Sequence, residues 1–93
     1  MRIHAGLAVV AVAAGAVLRL PPPAWIAVAG AIGLVMTAEL LNTAIEAAVD
    51  LASPADHPLA KRAKDVAAAA VLTASATAAA TGVLVVIWAL GRK

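Results

Sequence analysis

Cysteine is absent from this 93-residue chain, and so are phenylalanine and tyrosine. Without cysteine the chain can form neither a disulfide bond nor a thiolate metal site. Charge is also scarce, since Asp, Glu, Lys and Arg together make up 13% of the residues. The formal net charge of +2 is small and the basic residues are scattered, so the sequence does not predict nucleic-acid binding.

Apolar residues dominate the chain, at 65% of positions with a mean hydropathy of +1.02. Three nearly uncharged segments, about 3–18, 24–38 and 66–90, each approach or exceed the ~20 residues that span a bilayer core. A soluble domain of this size would expose too much apolar surface. We therefore predict an all-α integral-membrane domain over residues 1–93, a bundle of three transmembrane helices with no second domain.

The first apolar segment also has the character of a signal peptide, with Arg2 as its positively charged start. The prolines at 21–23 instead predict a tight turn into a second helix over about 24–51, because proline lacks an N–H group and restricts the residue before it. A polar loop over 53–58 and a third helix from near Leu59 follow. We favour a spanning first helix, because the second helix needs a partner to cover its polar residues.

The basic residues indicate orientation. With three spans, the amino terminus and the second loop share one side of the membrane, which then holds four basic residues against three on the other. The four are Arg2, Lys61, Arg62 and Lys64, and the three are Arg19, Arg92 and Lys93. This difference favours a cytoplasmic second loop, and it places Trp25 and Trp88 together at the outer interface.

One polar stripe runs along the second helix. At roughly 100° per residue, Glu39, Asn42, Glu46 and Asp50 fall within a narrow sector, and apolar residues cover the rest of the helix. Ordinary surface helices show the opposite pattern, with charge over a broad face. Within a membrane, such a stripe must face other protein, a water-filled cavity or a ligand.

Ionisable groups in a membrane helix are costly and are therefore functional candidates. Carboxylates beside lysine and arginine at a membrane edge suit Mg²⁺ and phosphate, because Mg²⁺ takes oxygen ligands and the cations neutralise phosphate oxygens. Glu39, the deepest carboxylate, could then take a proton from the hydroxyl group of a substrate dissolved in the membrane.

Two other interpretations fit the same residues. In a structural polar network, Asn42 would bond between helices, and Asp50 and Asp65 would pair with neighbouring Lys or Arg side chains. His57 would then be a solvated loop residue, and His4 would lie at the headgroup interface. In a proton path, the deep carboxylate would carry protons, as in a small rotor subunit. Residue spacing alone leaves all three interpretations open.

Three stretches of the chain carry a family resemblance. They are Glu39-Leu-Leu-Asn42-Thr-Ala-Ile-Glu46, then Val49-Asp50-Leu51, then His57-Pro58-Leu59-Ala60-Lys61-Arg62-Ala63-Lys64-Asp65. Together they resemble the prokaryotic diacylglycerol kinase family, and above all its Gram-positive branch, the undecaprenol kinases. The resemblance extends over nearly the whole chain. It implies a homotrimer in the plasma membrane, with active sites shared between subunits on the cytoplasmic side.

The resemblance also implies a reaction, transfer of the γ-phosphate of MgATP to a lipid alcohol such as undecaprenol or diacylglycerol. By position, Glu39 would be the general base on the lipid hydroxyl, and Glu46 would bind Mg²⁺ and with it the nucleotide phosphates. Asn42 and Asp50 would position and support the reacting groups. The further nucleotide contacts would be Asp56, His57, Lys64 and Asp65.

The sequence departs from this family at its start. Family members carry an amphipathic surface helix before the first span, and a glutamate at the end of that helix completes the metal site. This sequence begins at Met1 without either, so Glu46 alone would leave the metal site half built. The true start would then lie upstream, water and another carboxylate would fill the site, or the chain would be a catalytically impaired homologue. That last possibility is the main alternative to an active kinase, ahead of a proton-conducting subunit.

Overall fold

The computed structural model describes residues 2–92, and over that range it is all-helical, as predicted. Helix α1 spans Arg2–Leu18, α2 spans Pro22–Ala52 and α3 spans Pro58–Gly91. The molecule is a rod with principal extents of 57 × 17 × 17 Å. Lys93 and the side chain of Arg2, both counted for orientation, lie outside the described part of the chain.

The turn between α1 and α2 closes the first helix by backbone hydrogen bonding rather than by proline alone. The Arg19 N–H donates to the Ala16 carbonyl and the Leu20 N–H donates to the Gly15 carbonyl, both at 3.2 Å. This pair of bonds is the Schellman arrangement, which needs a left-handed residue just after the helix. Arg19 is that residue, with a φ of 54°.

Helices α2 and α3 each begin with a proline, one or two residues earlier than predicted. Pro22 and Pro58 occupy first-turn positions, where the missing N–H group costs no hydrogen bond and the fixed φ already suits a helix. His57 caps α3, because its Nδ1 accepts a hydrogen bond of 3.1 Å from the Leu59 N–H. Pro22, Pro23 and Pro58, which we expected to separate the helices, are therefore part of them, whereas Pro21 and Pro54 lie outside.

The helices pack unequally. Helices α2 and α3 pack along most of their length, whereas α1 contacts α2 at few positions. Small buried residues on α3, Ala67, Ala74 and Ala89, let the two long helices approach closely. At the turn end, Leu20 and Ala24 pack against Ala89, beside partly buried Trp25.

The carboxyl end of α3 is tied to the turn between α1 and α2. The Arg92 guanidinium donates a hydrogen bond of 2.9 Å to the Arg19 carbonyl and lies 5.0 Å from the centre of the Trp88 ring. Pro23 and Trp88 border the same shallow surface depression. Trp25, two residues beyond Pro23, and Trp88 therefore lie at the same end of the rod, as the orientation argument requires.

The outer surface of the rod is apolar. Only 17% of the most apolar stretch of α2 and 6% of that of α3 are buried inside the chain, so neither is the core helix of a soluble protein. Both helices are long and apolar enough to cross a membrane, whereas the apolar part of α1 is shorter. The described residues thus contain two candidate spans, and the third span remains a prediction.

The long helices exceed the thickness of a bilayer core. At 1.5 Å per residue, α2 is about 46 Å long and α3 about 51 Å, against about 30 Å of hydrocarbon. Helix α1 begins beside the middle of α2, because His4 contacts Glu39. Beyond the level of Glu39, the end of α2, the loop and the start of α3 contain the charged residues from Glu46 to Asp65. We expect this part of the molecule to extend out of the hydrocarbon.

Candidate active site

Glu39 is buried where the three helices meet. Its side chain on α2 contacts Nδ1 of His4 on α1, and Nε2 of the same ring lies 3.4 Å from the Ser75 hydroxyl on α3. Glu39 is only 8% exposed, and it is the one buried charged residue in the part of the chain that the structure describes. At Glu39 the polar stripe therefore faces other protein, which is one of the three surroundings that the sequence analysis allowed.

We expected His4 at the headgroup interface, and that depth remains a prediction. The sequence analysis did not predict its contact, in which the ring meets a carboxylate 35 residues away. The position of the turn in the sequence could have predicted this contact. Two antiparallel helices joined at about residue 20 place residue 4 opposite residue 36, within one helical turn of Glu39.

Asn42 lies about one turn beyond Glu39 on the same side of α2. It is half-buried, and its Oδ1 atom is buried without a hydrogen-bond donor among the described residues. Buried polar atoms in native proteins nearly always have a partner. The side chain therefore has the capacity to accept a hydrogen bond from a ligand, a water molecule or another chain.

An ion pair joins α2 and α3 near the loop. Lys64 Nζ donates to Asp50 Oδ1, and the side chains are 37% and 64% exposed. Glu46 and Asp56 also lie close enough to Lys64 for electrostatic attraction. Lys64 and Glu46 therefore share one end of the molecule, which the phosphate-binding interpretation requires.

A second ion pair stays within α3. Lys61 Nζ donates to Asp65 Oδ2 at 2.8 Å, one helical turn apart and largely exposed. Asp50 and Asp65 thus both pair with lysine in this chain, as the structural-network interpretation expected. Such exposed pairs add little stability to a fold, so they leave the lysines available to other anions.

The loop residues Asp56 and His57 are both exposed. The Ser53 hydroxyl donates to the Ala55 carbonyl at 3.1 Å, which shapes the loop before Asp56. His57 uses Nδ1 to cap α3, so its side chain has a structural role in this chain. Any nucleotide contact by these two residues remains a prediction.

The described residues contain no group of three His, Asp or Glu side chains close enough to enclose a metal ion. Glu46 is instead a single exposed carboxylate near the Lys64 ammonium group. Mg²⁺ is commonly held by one or two carboxylates, with substrate phosphates and water completing the shell. The residues present therefore fit Mg²⁺ delivered with a nucleotide, and they do not form a closed metal site by themselves.

An apolar groove of about 340 Å³ runs between the three helices. His4 and Ser75 line its polar end, and residues such as Val28 and Gly82 line it further along. The groove thus joins the buried polar contact of Glu39 to an apolar channel. An amphipathic ligand with a polar head and an apolar chain fits such a surface.

Comparison with known proteins identifies related sequences. The family model for prokaryotic diacylglycerol kinase matches residues 1–86. An undecaprenol kinase from Bacillus subtilis is 39% identical over 84 residues, which cover 90% of this chain and 68% of that protein. A diacylglycerol kinase from Synechocystis is 45% identical over 82 residues, which cover 87% of this chain and 47% of that protein. No solved structure matches the chain.

Proposed function

The chain belongs to the prokaryotic diacylglycerol kinase family, and on this premise we propose that it transfers the γ-phosphate of MgATP to a lipid alcohol. Its relatives are named for two such alcohols, undecaprenol and diacylglycerol. The chain spans about two thirds of one relative and about half of the other. Its own activity and lipid substrate are therefore part of the proposal.

The apolar surface of the long helices and the family of the chain together support a location in a membrane. The two long helices are apolar, largely exposed and long enough to cross a bilayer, and the family is one of membrane proteins. We propose that α1 is a third span and that the 53–57 loop faces the cytoplasm, where ATP is available. The plasma membrane is the membrane that the orientation argument assumes.

The observation that carries the proposal is the order of groups along α2. Glu39 is buried beside an apolar groove, whereas Glu46, seven residues or about 10 Å further on, is exposed near Lys64. A lipid kinase needs this separation, because its hydroxyl substrate comes from the bilayer and its phosphate donor comes from water. A polar network that only stabilised the fold would not need an exposed carboxylate and an exposed lysine together.

The proposed roles of the residues come from the family resemblance, and their locations are compatible with them. Glu39 accepts the proton of the lipid hydroxyl, and the Asn42 amide holds the reacting groups in place. Lys64 neutralises phosphate oxygens, and Asp50 orients the lysine from across the helix pair. Asp56, His57 and Asp65 border the path of the nucleotide. Positioning and charge neutralisation supply most of the catalysis in reactions of this kind.

Mg²⁺ is the cofactor that these residues suit. Glu46 would hold it together with phosphate oxygens of ATP, and the ion would then neutralise charge on the phosphates during transfer. A single carboxylate leaves room for a ligand from a second copy of the chain. We therefore also propose a homotrimer with active sites shared between subunits, which accords with the apolar outer surface.

The test is phosphate transfer by the purified chain in detergent micelles. Wild-type protein with MgATP and a short-chain undecaprenol or diacylglycerol should yield a phosphorylated lipid. Transfer absent with both alcohols, for a protein that remains folded, would favour a catalytically impaired homologue. Proton flux through the protein in liposomes without ATP would favour a proton-conducting subunit instead.

A further inference from the structure

The contact between His4 and Glu39 lies outside the roles given above. It joins the first turn of α1 to the middle of α2, and Ser75 extends it to α3. Each of the three helices therefore contributes one side chain to a single polar contact. Since α1 contacts α2 at few positions, this contact is one of the links between the open end of α1 and the bundle.

The position of the proton on the ring depends on the charge of Glu39. When the carboxyl is ionised it only accepts hydrogen bonds, and the nitrogen facing it then carries a proton. In a neutral imidazole the other nitrogen is then an acceptor, and the Ser75 hydroxyl can donate to it. The resulting order is Ser75 O–H to Nε2 and Nδ1–H to Glu39 Oε1.

We propose that His4 is a positioning residue for Glu39, holding its carboxylate in the orientation that accepts the proton of the lipid alcohol. This inference rests on the proposed function. A hydrogen bond to Oε1 fixes the plane of the carboxylate, and Ser75 fixes the plane of the ring in turn. Supporting contacts of this kind locate reacting groups to within about 0.5 Å in well-ordered sites.

Histidine suits this position better than a permanently charged donor. Lysine or arginine would place a full positive charge against the carboxylate and would make it a weaker proton acceptor. A neutral imidazole supplies one directed N–H donor without that charge. His4 and Ser75 also line the polar end of the apolar groove, so the ring lies where a lipid head would approach Glu39.

The kinetic test compares substitutions at one position. His4→Leu removes the donor, and His4→Asn keeps an N–H donor close to the place of Nδ1. We expect His4→Leu to lower kcat by between about tenfold and 100-fold, as small misplacements of a catalytic group do. The KM for MgATP should stay unchanged, because the nucleotide residues lie two helical turns away. His4→Asn should recover most of kcat, and Ser75→Ala should lower it less than His4→Leu does.

A matched control separates positioning from general damage to α1. Ile3 is adjacent to His4 and 77% exposed, so Ile3→Ala perturbs the same helical turn without touching Glu39. It should leave kcat and KM as in the wild type. Equal kcat for His4→Leu and wild type would overturn the inference, and so would a loss that His4→Asn does not relieve.

A second measurement does not depend on activity. The ¹⁵N NMR shifts of the His4 ring should show a proton on Nδ1, and the shifts should change on Glu39→Gln. A ring protonated only on Nε2, or one insensitive to Glu39→Gln, would overturn the inference even in an active enzyme. If wild-type protein shows the Nδ1 proton but transfers no phosphate, the proposed function fails while the contact stands.

Discussion

Lys64 on α3 pairs with Asp50 on α2, across the loop that joins the two helices. The pair brings a cation to the helix that carries Glu39 and Glu46, and it does so at the end where both long helices extend beyond α1. An exposed pair adds little stability. Glu46 and Asp56 also lie within electrostatic range of Lys64, and we propose that a metal-bound anion binds there.

Replacing Lys64 tests that location. If Lys64 binds the phosphates, Lys64→Ala should raise the KM for MgATP by roughly ten- to 100-fold, because hydrogen bonds between charged groups are stronger than neutral ones. Arg62→Ala is the matched control, since it removes an exposed positive charge from the same part of α3. The measurement is lipid phosphorylation against MgATP concentration. Equal effects of the two substitutions would contradict a specific role for Lys64.

The metal requirement should depend on Glu46. Glu46→Gln removes the only charge that we assign to Mg²⁺, so the Mg²⁺ concentration for half-maximal activity should rise by roughly tenfold or more. Even groups that only support a metal ligand contribute about 10–100-fold in affinity. Activity should vanish on chelation by EDTA and return with added Mg²⁺. A Glu46→Gln enzyme with unchanged Mg²⁺ dependence would remove Glu46 from the metal site.

Membrane topology can be measured directly, because the chain lacks cysteine. Single cysteines at Ser53, in the polar loop, and at Arg19, in the first turn, can be labelled with a membrane-impermeant thiol reagent. We expect Ser53→Cys to react only in inverted vesicles and Arg19→Cys only in spheroplasts. A cysteine added at the amino terminus should behave like Ser53→Cys if α1 also spans. Labelling of both loops from one side would contradict the two-span arrangement.

Packing at the turn end depends on the contact between Gly15 and Trp25. A Cβ atom added at Gly15 would lie 2.7 Å from the Trp25 ring, whereas one added at Gly6 would meet nothing within 4 Å. Gly15→Ala should therefore cost about 1–3 kcal/mol, as overpacking does, and lower Tm. Gly6→Ala should leave Tm unchanged or raise it, because alanine favours helix by about 1 kcal/mol over glycine.

Fluorescence can report the same contact. In a Trp88→Phe background, Trp25 is the only tryptophan, so its emission should shift in Gly15→Ala and not in Gly6→Ala. Identical spectra and Tm values for the two substitutions would show that the ring moves aside at no cost.

The sequence predicted the helices well and their contacts less well. Apolar runs and prolines located all three helices to within about two residues, because hydrophobic length and proline act locally. The sequence did not decide which cation pairs with Asp50, because several lie within reach. The choice depends on how the two helices are rotated against each other. The contact of His4 with Glu39 was not predicted, because it depends on the register of two helices joined by the turn at Arg19.

The central claim is that Glu39 accepts the proton of a lipid hydroxyl during phosphate transfer from MgATP. The most direct measurement is radiolabelled phosphate transferred from γ-labelled ATP to a lipid alcohol by wild-type protein, by Glu39→Gln and by Thr37→Val, an exposed control on the same helix. We predict transfer by wild type and Thr37→Val, and a loss of about 10²–10⁴-fold in Glu39→Gln. Wild-type rates in Glu39→Gln, or no labelled lipid from a folded wild-type protein, would contradict the account.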